Sequence, residues 1–172
     1  MQDVVQELGF LTLGSRFKRI GESLQAQAQV LLASNGMCMP TAHFPLLAAL
    51  DRLGPLGVGE LSQAVGVSQP VVSRSLLGLE ASGLVESKPV GADRRVRSIR
   101  LSRKGRDLVQ RAKRAVWPVI EAAVANACKP LKGSLLEQLA ALEAALEQAP
   151  LQKRAADVVA ATSTPARRRR AR

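Results

Sequence analysis

GELSQAVGVSQPVVSRSLLGLEASGLVESKPVGADRRVRSIRLSRKGR, residues 59–106, reads as two helices, a strand, a basic turn and a second strand. The first helix runs from about Gly59 to Val65, and Gly66 breaks it where a tight turn needs a residue that tolerates positive φ. Ser68 starts the second helix. Its hydroxyl is placed to cap free backbone N–H groups, and Pro70 is acceptable because first-turn N–H groups have no partner within a helix. Val72, Leu76 and Leu79 follow at steps of four and three, so one face packs inward against Leu61 and Val65. The opposite face carries Gln69, Val71, Ser73 and Arg74, side chains suited to base edges and phosphates in a major groove.

Gly83 ends this helix, Leu84–Lys88 is predicted as a strand, Pro89–Arg95 as a turn, and Val96–Leu101 as an alternating second strand. The order is that of a winged helix-turn-helix, and it points at double-stranded DNA. The wing tip, Gly91-Ala92-Asp93-Arg94-Arg95, sets two guanidinium groups beside one carboxylate. Arginine at such a tip enters a narrow minor groove, where the negative potential is enhanced, and aspartate holds its neighbour in position. In an arbitrary turn the same tripeptide is a solvated charge cluster; its position directly after the helix pair favours the groove. The candidate DNA contacts are therefore Ser68, Gln69, Val71, Ser73 and Arg74 on the helix, with Asp93, Arg94, Arg95 and Arg97 on the wing.

With these residues in view, the chain resembles the MarR family of bacterial transcription regulators. The resemblance rests on Gly54-Pro55, Glu60-Leu61, the run Val67-Ser68-Gln69-Pro70-Val71-Val72-Ser73-Arg74, Leu79-Glu80, Gly83-Leu84-Val85, Asp93-Arg94-Arg95, and Leu101-Ser102 before Gly105. It covers residues from about 40 to 110 clearly and the flanking helices more weakly. A helix-turn-helix alone occurs in many regulator families, but the Asp-Arg-Arg wing followed by Leu-Ser-x-x-Gly narrows the choice. One departure is Gly78, where such helices often carry a polar or basic residue; glycine there weakens the helix by roughly 1 kcal/mol relative to alanine.

Charge supplies an independent test. The formal net charge is +11, and residues 68–106 hold nine Lys or Arg against three acids while Arg167–Arg172 adds five arginines, so the remainder is balanced. Positive groups are thus concentrated on the proposed DNA face and the C-terminal tail, which a generally basic solubilising surface does not predict.

At 172 residues, 47% hydrophobic and only 2% aromatic, the chain is sized for one domain with a core, or for one core plus a dimerisation layer, built from Leu, Val, Ala and Ile. No apolar run reaches the roughly 18 to 20 residues that span a membrane, and the N-terminus lacks a basic segment leading into a signal core. The expected location is the cytoplasm of a bacterium, with the protein nucleoid-associated when bound. Cys38 and Cys128 have no metal-ligand spacing, with only His43 as a companion, so no metal or cofactor is expected. One histidine, no glycine-rich phosphate loop and no nucleophile elbow leave an enzyme, and any catalytic residue, without support.

Two helical stretches flank the reader. Leu13, Phe17, Ile20, Leu24, Ala28 and Leu31 form one apolar stripe that ends near Asn35-Gly36. A helix from about Thr41 to Leu53 buries some combination of Phe44, Leu47, Leu50 and Leu53, with Pro45 tolerated in its first turn. Ser102 caps a long helix bearing Leu108, Val116, Ile120 and Val124, kinked at Pro118, and a last helix, Ser134 to about Gln148, carries Leu135, Leu139, Leu142 and Leu146. A monomer has too few inward surfaces for both terminal stripes, so a two-fold homodimer is expected, as the resemblance also implies. Its two recognition helices, about 34 to 36 Å apart, then match an inverted repeat.

The resulting organisation is a dimerisation helix in residues 1–36, the winged helix-turn-helix over 40–106, dimerisation helices over 107–150, and a basic disordered tail over 155–172 that lacks apolar periodicity. The resemblance implies a small-molecule effector held between dimer helices and winged domain, with His43, Phe44 and Trp117 as candidate pocket residues. Cys38 follows the first helix, where oxidation would act on the linker, but no basic residue stands beside it in the sequence. The functional expectation is a sequence-specific transcriptional regulator, acting as a repressor. The competing class is a non-specific DNA- or RNA-binding architectural protein, since winged helices and arginine tails also meet RNA or package DNA.

Overall fold

The computed structural model describes residues 1–89 and 97–163, which divide into two compact units at the boundary between Ala123 and Val124. The first unit opens with a short helix α1 (Val4–Glu7) and a 3₁₀ turn (Gly9–Thr12), followed by the long α2 (Leu13–Ser34). A second 3₁₀ turn (Thr41–His43) leads into α3 (Phe44–Leu53), then α4 (Val58–Val65) and α5 (Gln69–Ala81). Strands β1 (Val85–Pro89) and β2 (Arg97–Leu101) follow, then α6 (Arg103–Ala115) and α7 (Trp117–Cys128), the last of which crosses the boundary between the units. The architecture is mainly α with a two-stranded antiparallel wing, as the sequence predicts.

The core forms where four helices and the wing turn apolar faces toward one another. Leu47 and Leu50 of α3, Leu61 of α4, Val72, Leu76 and Leu79 of α5, Ile99 and Leu101 of β2, and Leu108 and Val109 of α6 are all buried. On α3 the buried set is Phe44, Leu46, Leu47 and Leu50; Leu53 points out because Gly54, at φ 84°, ends the helix beside it. Removing a side chain such as Leu61 or Leu79 from water contributes about 1.5 to 3 kcal/mol, so this cluster holds the helices and the wing together.

Local chemistry sets the helix ends. Glu60 accepts a hydrogen bond from the Gly57 N–H at 2.6 Å, which fixes the start of α4, and Gly66 ends it in the left-handed conformation, φ 69°. Ser68 departs from expectation. Its backbone carbonyl accepts from Val71 and Val72 at 3.0 and 3.1 Å, but its hydroxyl makes no capping bond. The extended backbone of Ser68 and the pre-set φ of Pro70 suffice to start α5.

The wing pairs Val85 with Leu101 through Pro89 with Arg97. Leu56 adds a one-residue third strand, exchanging hydrogen bonds with Ile99 at 3.0 and 2.8 Å. The motif Leu101-Ser102-x-x-Gly105 explains itself here. The Ser102 hydroxyl accepts from the Gly105 N–H at 3.0 Å and donates to the Gly83 carbonyl at 2.7 Å, tying the start of α6 to the end of α5. Gly105 has no room for a side chain, since a Cβ there would lie 2.0 Å from the Leu84 carbonyl oxygen.

The predicted long helix after the wing is two helices. Val116 breaks the path at φ −115°, two residues ahead of the expected kink, because Pro118 has no N–H to donate back and crowds the preceding turn.

In the second unit, Ser134 caps α8 (Leu135–Gln148) by accepting from the Glu137 N–H at 3.3 Å. A further helix, α9 (Leu151–Ser163), occupies the first part of the stretch expected to be disordered from residue 155. Ala155, Ala156, Ala160 and Ala161 account for it: alanine has the best intrinsic helix propensity, and a helix needs no apolar stripe where its residues favour it individually. The tail from residue 164 lies outside the described residues.

Candidate nucleic-acid interface

Helix α5 has two chemically distinct sides. Val72, Leu76 and Leu79 are buried, and Pro70, Ser73, Arg74, Leu77 and Ala81, at spacings of three and four, form an exposed opposite face. Of the residues predicted from sequence, Ser73 and Arg74 are on this outward face. Gln69 and Val71 are exposed to either side of it, and Ser68 is exposed at the helix start. The Gln69 amide nitrogen lies 3.5 Å from where a Gly59 Cβ would be, so this side chain folds over the first turn of α4. Leu77 was missed. It is 69% exposed, and the signal was its position three residues beyond Arg74.

The cations separate into held and available groups. Arg100 is paired with Glu86 across the wing at 2.7 Å, and this contact holds the Glu86 carboxyl below the usual carboxylate range. Lys104 donates to the Ser82 carbonyl at 2.9 Å, and Arg106 donates to the Leu101 carbonyl at 2.9 Å. Arg74, Lys88 and Arg103 are exposed and have no hydrogen-bond or ion-pair partner among the described residues. Arg97 is exposed at the first position of β2. Asp93, Arg94 and Arg95 lie outside the described residues. The basic excess read from sequence is therefore partly structural, and the cations available to a phosphate backbone are fewer than the count suggests.

The predicted pocket residues divide. Phe44 and Trp117 meet edge to face with ring centroids 6.3 Å apart, and both line a cavity of about 330 Å³ with Ala28, Leu32, Pro45, Ile120 and the more polar Gln25 and Thr41. His43 does not line it. The imidazole turns toward α5, where a Cβ on Gly78 would stand 3.2 Å from its Cε1 atom, and partial burial lowers its pKa below the ordinary histidine value. Gly78, the departure noted in the sequence, is thus the residue that makes room for His43.

Among the described residues, no group of His, Cys, Asp and Glu side chains is arranged to hold a metal ion, and no helix is long and apolar enough to cross a membrane.

Residues 39–96 match the model of the MarR family. The fold is similar to that of a mutant MarR from E. coli complexed with operator DNA, with a TM-score of 0.64, 20% identity, and coverage of 86% of this chain and 98% of the other. It is similar to the transcriptional repressor CouR bound to a 23-mer DNA duplex, with a TM-score of 0.62, 25% identity, and coverage of 81% and 96%. A MarR family transcriptional regulator from Silicibacter pomeroyi matches with a TM-score of 0.55, 26% identity, and coverage of 81% and 88%.

Proposed function

We propose that the chain is a MarR-family DNA-binding transcription regulator that works as a homodimeric repressor, binds an inverted-repeat operator and is released by a small apolar effector. The observation that carries this reading is the outward face of α5. In a domain closed by its own core, this helix leaves Ser73, Arg74 and Leu77 exposed, with Arg74 unpartnered among the described residues. Ser68, Gln69 and Val71 flank that face, and Arg94, Arg95 and Arg97, with Asp93, are the wing's contribution to the minor groove. CouR and the E. coli MarR structure, both similar in fold and both bound to DNA, support the same use of the domain.

The homodimer rests on exposed apolar surface. Phe10 and Leu11 are 93% and 82% exposed, and Phe17, Ile20 and Leu24 continue the same exposure along α2. Surface of this kind favours a self-complementary partner. The effector site is the cavity beside Phe44 and Trp117, at the small end of the usual range for ligand pockets and almost wholly apolar. Its rim includes Thr41 and Ala42, and the same 3₁₀ turn presents His43 to Gly78 of α5. An effector that moves this turn moves a side chain seated on the recognition helix. It shifts the binding equilibrium by its preference for one of the two positions.

A non-specific architectural role is the second reading, favoured by the five arginines between Arg167 and Arg172. Selection of bound duplexes from a random pool, followed by competition at near-physiological salt, separates the two. Enrichment of an inverted repeat with half-site centres about one helical turn apart is the expected result. Equal binding to every duplex would overturn the regulator reading.

A further inference from the structure

The outward face of α5 is poor in groups that read bases by hydrogen bonding. It carries one guanidinium, Arg74, and one hydroxyl, Ser73; Pro70, Leu77 and Ala81 present hydrocarbon. The carboxamide that would pair with adenine, that of Gln69, is folded toward Gly59. Leu77 is the largest apolar side chain on the face and is 69% exposed, while Val72, Leu76 and Leu79 on the other side are at most 6% exposed. The core is therefore complete without it.

The major groove has one apolar mark, the 5-methyl group of thymine. Resting on the operator-binding reading above, we propose that Leu77 is a specificity-determining residue that packs on a thymine methyl in each half-site. Geometry locates that thymine. Leu77 lies three residues beyond Arg74, about 4.5 Å along the helix axis at 1.5 Å per residue. Base pairs are stacked about 3.4 Å apart, so the methyl belongs one or two pairs from the nucleotide that Arg74 reaches. Discrimination here comes from burying a methyl group and from excluding the polar edge of another base, with no directional bond from the side chain.

The test uses the full-length protein and its selected operator. Thymines in a half-site are replaced one at a time by deoxyuridine, which removes the methyl and leaves base pairing intact. Wild type is expected to lose about fourfold in affinity at one or two positions per half-site, the equivalent of about 0.8 kcal/mol for a buried carbon. Leu77→Ala is expected to bind the operator more weakly and to be indifferent to deoxyuridine at those same positions. Because Leu77 is exposed, the variant keeps the fold, and circular dichroism checks this.

Two results would overturn the proposal while leaving the regulator reading intact: operator binding that is insensitive to every deoxyuridine, or full sensitivity retained in Leu77→Ala. Failure of the initial selection to enrich any operator would overturn both.

Discussion

Val72, Leu76 and Leu79 of α5 are at most 6% exposed, whereas Phe17, Ile20 and Leu24 of α2 are 42% to 50% exposed, although both sets recur at steps of three and four. The spacing gives each helix an apolar side and says nothing about what will cover it. For α5 the cover is local: α4 and β1 are its neighbours in sequence, and Leu61, Leu84 and Val85 belong to the same buried cluster as its apolar face. The C-terminal half of α2 is held through Leu32 and the contacts of Gln29 with Thr41, and its N-terminal half through the Arg19–Asp3 ion pair at 2.8 Å, but neither covers the apolar stripe. The difference separates a region that is finished within one chain from a surface that a second copy is proposed to finish.

The closed region breaks most severely from within. Gly105→Ala puts a methyl carbon 2.0 Å from the Leu84 carbonyl oxygen, a backbone atom that cannot swing aside. Relief requires α6 to lift from the end of α5, which also strains the Ser102 hydroxyl bonds to Gly83 and Gly105. The expected loss is more than about 3 kcal/mol, measured by urea unfolding followed by circular dichroism. A variant as stable as wild type would mean that the junction is looser than these distances state.

The open surface breaks in another way. Phe17→Glu combined with Ile20→Glu places two charges on the α2 stripe, outside the buried cluster. The double variant is expected to sediment as a monomer and to keep cooperative unfolding of the winged region. Its affinity for an inverted repeat is expected to fall by about 10² or more as the second half-site contact becomes intermolecular. A variant that remains dimeric would remove α2 from the interface.

Residues differ in how far they could be read before the structure. The recognition helix was legible because Gly66, Pro70 and Gly83 punctuate it and its buried face is strictly periodic. α9 was not, because its helicity rests on alanine propensity, which leaves no apolar stripe to find. The charge count overstated the free cations, because pairing of Arg100 with Glu86 and the bond from Lys104 to Ser82 depend on which residues face each other across strands and helix ends. Phe44 and Trp117 come together at one cavity whereas His43 turns away from it, since one residue of a 3₁₀ turn rotates a side chain by about 120°. Leu77 escaped notice because an exposed leucine is ordinary by composition and becomes informative only when its neighbours are known to be fully buried without it.

The smallest expected effect lies where the two regions communicate, at His43 against Gly78. Burial holds the His43 pKa below its ordinary value, so the unfolded chain binds a proton more readily than the folded one. This contribution to stability is fully present above the unfolded-state pKa of about 6.5 and is lost as pH falls through the lower folded value. Thermal melts of wild type between pH 7.5 and 5.5 are expected to show a decline that His43→Gln lacks. Gly78→Ala reaches the same group from the other side. Its Cβ would stand 3.2 Å from the end of a side chain able to rotate away, while alanine favours the helix by up to about 1 kcal/mol. Its stability is expected to stay within about 1 kcal/mol of wild type and its pH slope to flatten as the imidazole is displaced into water. An unchanged slope in both variants would show that the seat on α5 does not govern the titration of His43.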